Sequence, residues 1–208
     1  MARIPQCAPL ELGRLLQPFN DPDWVFELKY DGFRACAKVS DGKAELVSRR
    51  GHVYQAWPGL CDAIGRDLAG HQAVLDGELV CLDEKGRPVF QDLLYRRRRP
   101  VYIAFDLLYL DGEDLREASL LERKAFLARL IPHNSFSLLY AEHVTQQGRS
   151  FYQQACALDL EGIVAKLASA PYRPTTPRHW IKIKNPAYSQ GEGRHELFDK
   201  RGRGRGAK

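Results

Sequence analysis

Alternating apolar and polar residues run along most of the chain and predict strands. In "DWVFELKY" Trp24 and every second residue up to Leu28 are apolar, and "FRACAKV" shows the same period after Gly32. The Asp-Gly pair between them is typical of a tight turn, so the two segments are predicted to be paired strands. Further strands are expected at residues 44–49, 73–83, 101–112, 137–143, 162–167 and 180–184.

Helices are predicted where apolar residues recur at intervals of three and four positions. One is expected from Trp57 to Leu68, a second at 119–131 and a third at 150–158. The second opens with Ser119 and Glu122 in the register of a capping box, in which each side chain accepts from the other residue's backbone N–H. Because strands and helices follow no strict βαβ rhythm, we predict an α+β fold with mostly antiparallel sheets.

Composition narrows the class of protein. A chain of 208 residues with 44% apolar content can bury a core in one large or two small domains, and its formal net charge of +5 favours an anionic partner. The five cysteines are widely spaced and include no C-x-x-C pair, so we expect neither a zinc cluster nor a disulfide framework, and a reducing cytoplasm fits best. Without an apolar leader or a long apolar span, neither secretion nor membrane insertion is expected.

Two segments are not predicted to form regular structure. Residues 168–179, "ASAPYRPTTPRH", are too rich in proline for a helix or strand. From Ser189 onward the sequence turns to glycines and cations with little to bury, so residues 189–208 are predicted to be a disordered basic tail. The folded domain is accordingly expected to span residues 1–188.

Several predicted strands carry charged residues among apolar ones. Asp76 and Glu78 share one face of their strand by the two-residue period, and Lys182 and Lys184 share one face of theirs. Two carboxylates on one face suit a hard cation such as Mg²⁺, although a solvated face would explain them equally well. The usual phosphate-loop, H-E-x-x-H and nucleophile-elbow motifs are missing, which weakens P-loop and hydrolase interpretations.

Six motifs in one order carry a resemblance to a known family. "KYDG", "SRRG", "LDGELV", "FDLLYLDG", "EGIVAK" and "WIKIK" resemble the nucleotidyltransferase motifs of ATP-dependent DNA ligases, above all the adenylation domain of bacterial end-joining ligases. The resemblance covers about residues 9–185. K-x-D-G alone is a weak pattern, but six motifs in the family's order exceed what chance would produce. The resemblance implies a nucleotidyltransferase fold, ATP-grasp-like, with two mainly antiparallel sheets around a nucleotide cleft and helices outside.

In that family the motif lysine attacks the α-phosphorus of ATP and forms a lysyl-AMP intermediate, which assigns Lys29 as the catalytic nucleophile. A free lysine has a pKa near 10.4, so less than about one-thousandth of it is neutral amine at pH 7. The site must therefore favour the neutral form through desolvation or neighbouring cations. ATP and Mg²⁺, or Mn²⁺, are the cofactors that the resemblance implies.

The resemblance also assigns binding residues. Phe105 would stack on adenine, while Glu78 and Glu161 would lie by the ribose and the metal ion. An aromatic residue in a strand is usually part of the core, so only its place in the motif supports Phe105. By the same resemblance Arg34 and Arg49 would contact the nucleotide or the phosphates of the nick, and Lys182 and Lys184 would bind the α-phosphate and stabilise charge as pyrophosphate leaves. Glu27 would lie near the base and Lys166 near the phosphates.

The segment "YRRRRP" is a candidate for DNA contact. It places Arg96, Arg97, Arg98 and Arg99 beside a predicted strand. A charge run is usually a solvated loop, but beside these motifs it suits the DNA backbone, a contact sensitive to salt and indifferent to base sequence. The expected substrate is nicked or broken double-stranded DNA, in repair or recombination, in the cytoplasm of a bacterium at its nucleoid.

The resemblance ends after "WIKIK". Family members continue into an OB-fold domain, whereas only about twenty residues follow here, so we expect this chain to lack that domain. The leading interpretation is a minimal DNA ligase or its adenylation module, which a separate OB-fold or end-joining repair protein could complete. The alternatives are an RNA ligase or capping-type nucleotidyltransferase, and a non-catalytic module that binds nicks.

Overall fold

The computed structural model describes residues 7–173 and 179–191. Within these ranges the strands are β1 (Gly13–Leu15), β2 (Trp24–Leu28), β3 (Phe33–Ser40), β4 (Lys43–Ser48), β5 (Ala73–Val80), β6 (Val101–Leu110), β7 (Glu113–Asp114), β8 (Leu138–Tyr140), β9 (His143–Thr145), β10 (Gly162–Leu167) and β11 (Trp180–Lys184). The helices are α1 (Pro58–Asp67), α2 (Phe90–Leu94), α3 (Leu120–Leu130) and α4 (Gly148–Ala157), and Ser189–Gly191 form a turn of 3-10 helix.

The strands build two sheets that pack against each other. The first sheet has the order β1-β11-β10-β2-β9, and the second has the order β4-β3-β5-β6-β7, with β8 pairing to β6 beside this path. All neighbours are antiparallel except β1 with β11 and β6 with β8. The predicted α+β fold with two mainly antiparallel sheets is confirmed. Because β2 belongs to the first sheet and β3 to the second, residues 29–32 link the two.

Each sheet has one face against helices and one face toward the other sheet. In β2, Phe26 packs with Ala155 of α4, whereas Val25 packs in a cluster that includes residues of the second sheet. The two-residue period puts Glu27 and Lys29 on the same face as Val25. The charged residues of β5, β10 and β11 follow the same rule. Asp76, Glu78 and Lys166 therefore lie beside a cleft between the sheets, which decides against a solvated face for the two carboxylates, whereas the Lys184 side chain is 45% exposed.

Helix α3 begins as the sequence predicts. The backbone N–H of Ser119 donates to Glu122 Oε2 at 2.9 Å, and the backbone N–H of Glu122 donates to Ser119 Oγ at 3.4 Å. This reciprocal capping box satisfies two of the N–H groups that a helix start leaves without partners. Helices α1 and α3 pack on the second sheet and α4 packs on the first, so helices lie outside the sheets.

The predicted strand at 137–143 is two strands in different sheets. Strand β8 pairs with β6 in the second sheet, and β9 pairs with β2 in the first. The chain crosses between the sheets at Ala141–Glu142. Alternation cannot reveal this crossover, since the apolar pattern continues across it. The pattern likewise does not predict the short elements β1, α2 and β7, and α4 begins at Gly148 instead of residue 150.

A disulfide joins Cys7 to Cys36, a pair that the spacing of the cysteines does not suggest. The two cysteines are 29 positions apart, and the segment before β1 brings their Cα atoms to 6.2 Å. That approach comes from tertiary packing, so the spacing of cysteines along the sequence does not indicate it. Cys61, Cys81 and Cys156 are free thiols.

Within residues 7–173 and 179–191, no helix has the length and apolar character needed to cross a membrane. At the start of the predicted tail, the backbone N–H of Ser189 donates to Asp159 Oδ1 at 2.9 Å. Residues 192–208 of the predicted tail and residues 174–178 of the predicted loop lie outside the described ranges.

Candidate active site

A cavity lies between the two sheets, beside the turn that links them. Six predicted site residues line it, namely Glu27, Lys29, Arg34, Glu78, Phe105 and Lys166. Five further lining residues were not predicted from the sequence, namely Leu12, Leu28, Tyr30, Val164 and Trp180. Residues from five of the six motifs, all except "SRRG", therefore converge on one place in the fold.

Lys29 follows β2 directly and lines this cavity. Its backbone N–H donates to the Gly162 carbonyl at 3.0 Å, which extends the pairing of β2 with β10. Its Nζ donates to Glu161 Oε2 at 2.7 Å, and Oε1 of Glu161 lies 2.9 Å from Lys184 Nζ. Burial by itself raises the pKa of Glu161, but Lys29 and Lys184 outweigh it and hold the pKa below its ordinary value. The predicted nucleophile and a predicted metal ligand are thus in direct contact.

Arg34 is held in the cavity wall by a buried carboxylate. Its Nε and Nη2 donate to Oδ1 and Oδ2 of Asp76 at 2.9 and 2.6 Å, and the Tyr172 hydroxyl donates to the same Oδ2 at 2.6 Å. A bidentate pair of this kind fixes the plane of the guanidinium group as well as its charge. The sequence pattern pairs Asp76 with Glu78 as possible ligands of a cation, but in the structure Asp76 binds Arg34.

Phe105 lies at an irregularity in β6. The pairing of β5 with β6 passes from Asp76 opposite Asp106 to Gly77 opposite Ala104, so Phe105 is the extra residue of a β-bulge. A bulge changes the direction in which the strand presents its side chains. The bulge accounts for a cavity-lining Phe105 in a strand whose neighbouring positions are buried in the core.

Two cations cover the aromatic wall of the cavity. The guanidinium carbon of Arg34 lies 4.9 Å from the centre of the Phe105 ring, and Lys166 Nζ lies 4.4 Å from it. Lys166 Nζ is also 3.9 Å from the centre of a Trp180 ring. The cavity measures about 60 Å³, well below the roughly 300–1,000 Å³ of sites for drug-sized ligands. A base that stacks on the ring face occupied by one of these cations must displace that cation.

Glu27 is bound by two lysines. Its Oε1 accepts from Lys124 Nζ at 2.7 Å and its Oε2 accepts from Lys166 Nζ at 2.6 Å. Burial raises the pKa of Glu27, but the two ammonium groups outweigh it, so the pKa is lowered. Burial lowers the pKa of Lys166 to about 8, whereas for Lys124 the charge of Glu27 outweighs burial and raises the pKa. The charge of Glu27 therefore offsets the burial of Lys124 but not that of Lys166.

Glu78 and Glu161 are the predicted metal ligands. Burial raises the pKa of Glu78 to about 8, against the lowering influence of Lys29 and Arg34, and the negative charge of Glu161 adds to the rise. The neighbouring cations do not offset the burial of the Glu78 carboxyl group, so a hard cation beside it would favour its ionised form. Mg²⁺ usually takes one or two carboxylates and completes its shell with substrate phosphates and water. The two carboxylates fit such an ion.

Two other predicted contacts, Lys182 and Arg49, do not line the cavity. Lys182 pairs across the sheet with Val164, which does line it, and burial, followed by the charges of Lys184 and Lys29, lowers the pKa of Lys182. Arg49 has its Nη2 2.5 Å from Glu11 Oε1 in an exposed ion pair.

The four consecutive arginines, Arg96 to Arg99, occupy the exposed segment between α2 and β6 and do not line the cavity. The Nε of Arg98 lies 2.9 Å from Asp92 Oδ2, and the guanidinium carbon of Arg97 lies 5.0 Å from the centre of the Tyr95 ring. Their exposure suits contact with a large anionic partner, and Arg98 is the member with an acidic partner among the described residues.

Gly32 lets the turn after Lys29 pass close to β5. A Cβ atom at this position would overlap the Leu79 carbonyl oxygen and lie 2.9 Å from Glu78 Cγ. Because the backbone would have to shift, we expect Gly32→Ala to lower the free energy of unfolding by about 1–3 kcal/mol in urea denaturation. Gly59→Ala in the first turn of α1 is the matched control, since nothing lies within 4 Å of the added Cβ. It should stabilise by up to about 1 kcal/mol. Equal stability of Gly32→Ala and wild type would contradict the overlap.

Comparisons with known proteins agree with the motif order. The family model described as ATP dependent DNA ligase domain matches residues 7–184. The multifunctional non-homologous end joining protein LigD of Pseudomonas aeruginosa is 36% identical over 190 residues, which cover 87% of this chain and 22% of that protein. The SPbeta prophage-derived DNA ligase-like protein LigB of Bacillus subtilis is 31% identical over 192 residues, which cover 88% of this chain and 69% of that protein. The chain thus spans about a fifth of the LigD protein's length.

A solved structure extends the likeness to the fold. Mycobacterial DNA ligase D, complexed with ATP and MES, superposes with a TM-score of 0.76 at 33% identity, over 85% of this chain and 60% of that one. The nucleotidyltransferase fold predicted by resemblance is therefore confirmed. With the family model matched over most of its length and residues of five of the six motifs lining one cavity between its sheets, the chain is a member of the ATP-dependent DNA ligase domain family.

Proposed function

We propose that this chain is an adenylation domain which takes AMP from ATP onto Lys29 and passes it to the 5′-phosphate of nicked or broken DNA. The observation that carries the proposal is the position of the Lys29 amine, which lines a cavity with an aromatic wall and lies 2.7 Å from Glu161, a carboxylate that also pairs with Lys184. A lysine on a solvated surface would have no such surroundings.

In the first step the Lys29 amine attacks the α-phosphorus of ATP. An N–P bond forms, the bond to the bridging oxygen breaks, and the electron pair leaves with pyrophosphate. The amine also loses a proton, and Glu161 Oε2, 2.7 Å from Nζ, is placed to accept it. Lys182 and Lys184 would stabilise the negative charge that builds up on the departing phosphates. Phe105 would stack on the adenine after Arg34 or Lys166 moves off its ring.

In the later steps AMP moves to DNA. A 5′-phosphate oxygen attacks the phosphorus of lysyl-AMP, and the N–P bond breaks with return of the electron pair and a proton to Lys29. The neighbouring 3′-hydroxyl then loses its proton to water and attacks the activated 5′-phosphate, so that the phosphodiester bond forms, the anhydride bond to AMP breaks, and AMP leaves with the electron pair. Glu78 and Glu161 would hold Mg²⁺ or Mn²⁺, which when bound supplies positive charge against the phosphates. This role belongs at the nucleoid of a bacterial cell.

The Arg96 to Arg99 segment is proposed to contact the DNA backbone. We expect replacement of Arg96, Arg97 and Arg99 by Gln, which spares the Arg98 pair with Asp92, to weaken binding to a nicked duplex. Each lost phosphate contact should also reduce the slope of log K against log[salt] by about 0.9. Fluorescence anisotropy at several salt concentrations measures the slope.

The matched control for this test removes three cations from other surfaces of the domain. It replaces the exposed residues Lys43, Arg66 and Arg129 by Gln. Because both triple variants lose the same net charge, an equal change of slope in the two would contradict a specific contact by the arginine segment. The prediction requires the larger change in the arginine-segment variant.

The adenylation step is tested by incubating the protein with Mg²⁺ and ATP that carries radiolabel on the α- or the γ-phosphate. Covalent label after denaturation is expected from the α-position and not from the γ-position, and GTP should label less. A chase with nicked DNA should move the label to the 5′-phosphate and yield sealed product, whereas nicked RNA should not. Absence of label on folded protein that mass spectrometry shows to be free of AMP would refute the proposal. Addition of a separate OB-fold protein to the chase tests whether sealing needs one.

A further inference from the structure

Lys124 lies in none of the motifs, yet it is one of the most deeply buried cations among the described residues. It belongs to α3, and its side chain is 1% exposed. Its Nζ donates to Glu27 Oε1 at 2.7 Å and to the Ala141 carbonyl at 2.9 Å, and it lies 4.5 Å from the centre of the Tyr140 ring. Ala141 stands where the chain crosses from the second sheet to the first. Lys124 therefore connects α3 with Glu27 of β2 and with the crossover at Ala141.

We propose that Lys124 is a positioning residue for recognition of the nucleotide base: it holds Glu27 as a fixed, ionised hydrogen-bond acceptor that selects a base carrying an exocyclic amino group. The inference rests on the proposed function, in which the nucleotide is ATP. Lys124 itself does not line the cavity, so it acts on the base through Glu27.

The chemistry of the carboxylate supports this selection. An ionised carboxylate accepts hydrogen bonds and donates none, and each of its oxygens has two acceptor positions. Lys124 occupies one position on Oε1 and Lys166 occupies one on Oε2, which leaves acceptor capacity on both oxygens of a residue that lines the cavity. The 6-amino group of adenine can donate to it. A purine without that group leaves the buried acceptor unpaired, and a purine with a 6-oxygen brings two acceptors together.

Lys166 cannot hold Glu27 in the same way. It lines the cavity, and its Nζ lies over the rings of Phe105 and Trp180, where a stacked base would have to go. Lys124 is outside the cavity, and its second bond to the Ala141 carbonyl keeps it in place whichever ligand enters. Of the two lysines, Lys124 is thus the one that can anchor the carboxylate independently of the nucleotide.

A purely structural role for Lys124 makes a different prediction. If it only fastened α3 and the crossover to β2, its loss would slow adenylation with every nucleotide by the same factor. If it positions Glu27, its loss should affect ATP more than an analogue that makes no bond to Glu27. The ratio of kcat/KM for two nucleotides therefore separates the roles, because a general loss of folded protein cancels in it.

The experiment compares ATP with purine riboside triphosphate, which is ATP without its 6-amino group, as donors for covalent labelling. Wild type should prefer ATP in kcat/KM by about 10- to 100-fold, as expected for a hydrogen bond to a charged group. In Lys124→Met the preference should fall to less than about threefold. Lys124→Arg, which keeps the cation, should restore part of it. Arg129→Met, which removes an exposed cation from the same helix, should keep the wild-type preference.

A second pair of variants keeps the test valid if Lys124→Met alone does not fold. Glu27→Gln and the double variant Lys124→Met/Glu27→Gln both remove the buried negative charge, and the double variant also removes one of the two lysines that the charge compensated. Because Lys124 acts through Glu27, the double variant should show the same preference as Glu27→Gln. A further fall in the double variant, or a wild-type preference in Lys124→Met, would overturn the inference. If wild type labels with ATP and the variants keep its preference for ATP over purine riboside triphosphate, this inference alone is refuted. If wild type does not label at all, the proposed function is refuted and the inference with it.

Discussion

Replacement of Lys29 by alanine should abolish the covalent label that the wild-type protein takes from α-labelled ATP. The amine supplies the electron pair for the N–P bond, and a methyl group cannot replace it. We expect a loss of at least about 10³-fold, the scale on which enzymes lose activity when a nucleophile is removed. Labelling with Mg²⁺ and α-labelled ATP, followed by denaturing electrophoresis, measures the loss. Lys184 still pairs with Glu161 in the variant, so the fold should persist.

Two further variants separate the nucleophile from its charge. Lys29→Arg keeps a cation beside Glu161 but has no amine of comparable nucleophilicity, so it should be as inactive as Lys29→Ala. Lys43→Ala, an exposed lysine in β4, should label as wild type does. Label retained on Lys29→Ala at more than about a tenth of the wild-type rate would place the covalent bond on another residue.

Arg123→Met in α3 should lower the free energy of unfolding more than Gly32→Ala does. The Arg123 Nε and Nη2 lie 2.7 and 2.8 Å from the two carboxylate oxygens of Asp106, and Nη1 donates to the carbonyls of Ala118 and Ala170. Both members of the pair are fully buried, so the variant leaves a carboxylate without counter-charge in the core. Removal of one partner of such a pair costs about 3–5 kcal/mol. For a domain of this size, that corresponds to a fall of roughly 6–20 °C in the melting temperature.

Circular dichroism during heating measures this effect. Arg129→Met, on the same helix but exposed, is the matched control and should change the free energy of unfolding by less than about 0.5 kcal/mol. The double variant Arg123→Met/Asp106→Leu should recover most of the loss, because apolar replacement of a whole buried ion pair is often neutral. A melting temperature of Arg123→Met within about 2 °C of wild type would mean that the pair contributes little.

Asp106 shows a limit of the sequence pattern. A charged residue inside an apolar strand indicates a buried function, but the pattern does not distinguish an active-site carboxylate from a structural one. Asp76, Asp106 and Glu78 all interrupt apolar strands, and they bind Arg34, bind Arg123 and line the cavity, respectively. The motif order singled out Glu78 for the site, and Glu78 is the carboxylate of these three that lines the cavity.

The features that the sequence did not predict arise where distant parts of the chain meet, while the role of Arg49 stays a prediction. Arg49 belongs to a family motif, yet in this structure it pairs with Glu11 at the surface. The disulfide between Cys7 and Cys36 and the crossover at Ala141–Glu142 were not predicted, because neither produces a local pattern. The same holds for Lys124, which sequence alone presents as one cation in an amphipathic helix.

The residues by themselves determined most of the longer strands, the capped helix α3, the α+β class and the ligase family, because each depends on short-range periodicity or on a motif of a few positions. Packing decided which charges meet: Lys124 reaches Glu27 from 97 positions away, and Arg34 reaches Asp76 from 42. It also decided the bulge that brings Phe105 to the cavity. Burial makes these contacts strong and selective, and burial is a property of the assembled sheets that no local stretch of sequence contains.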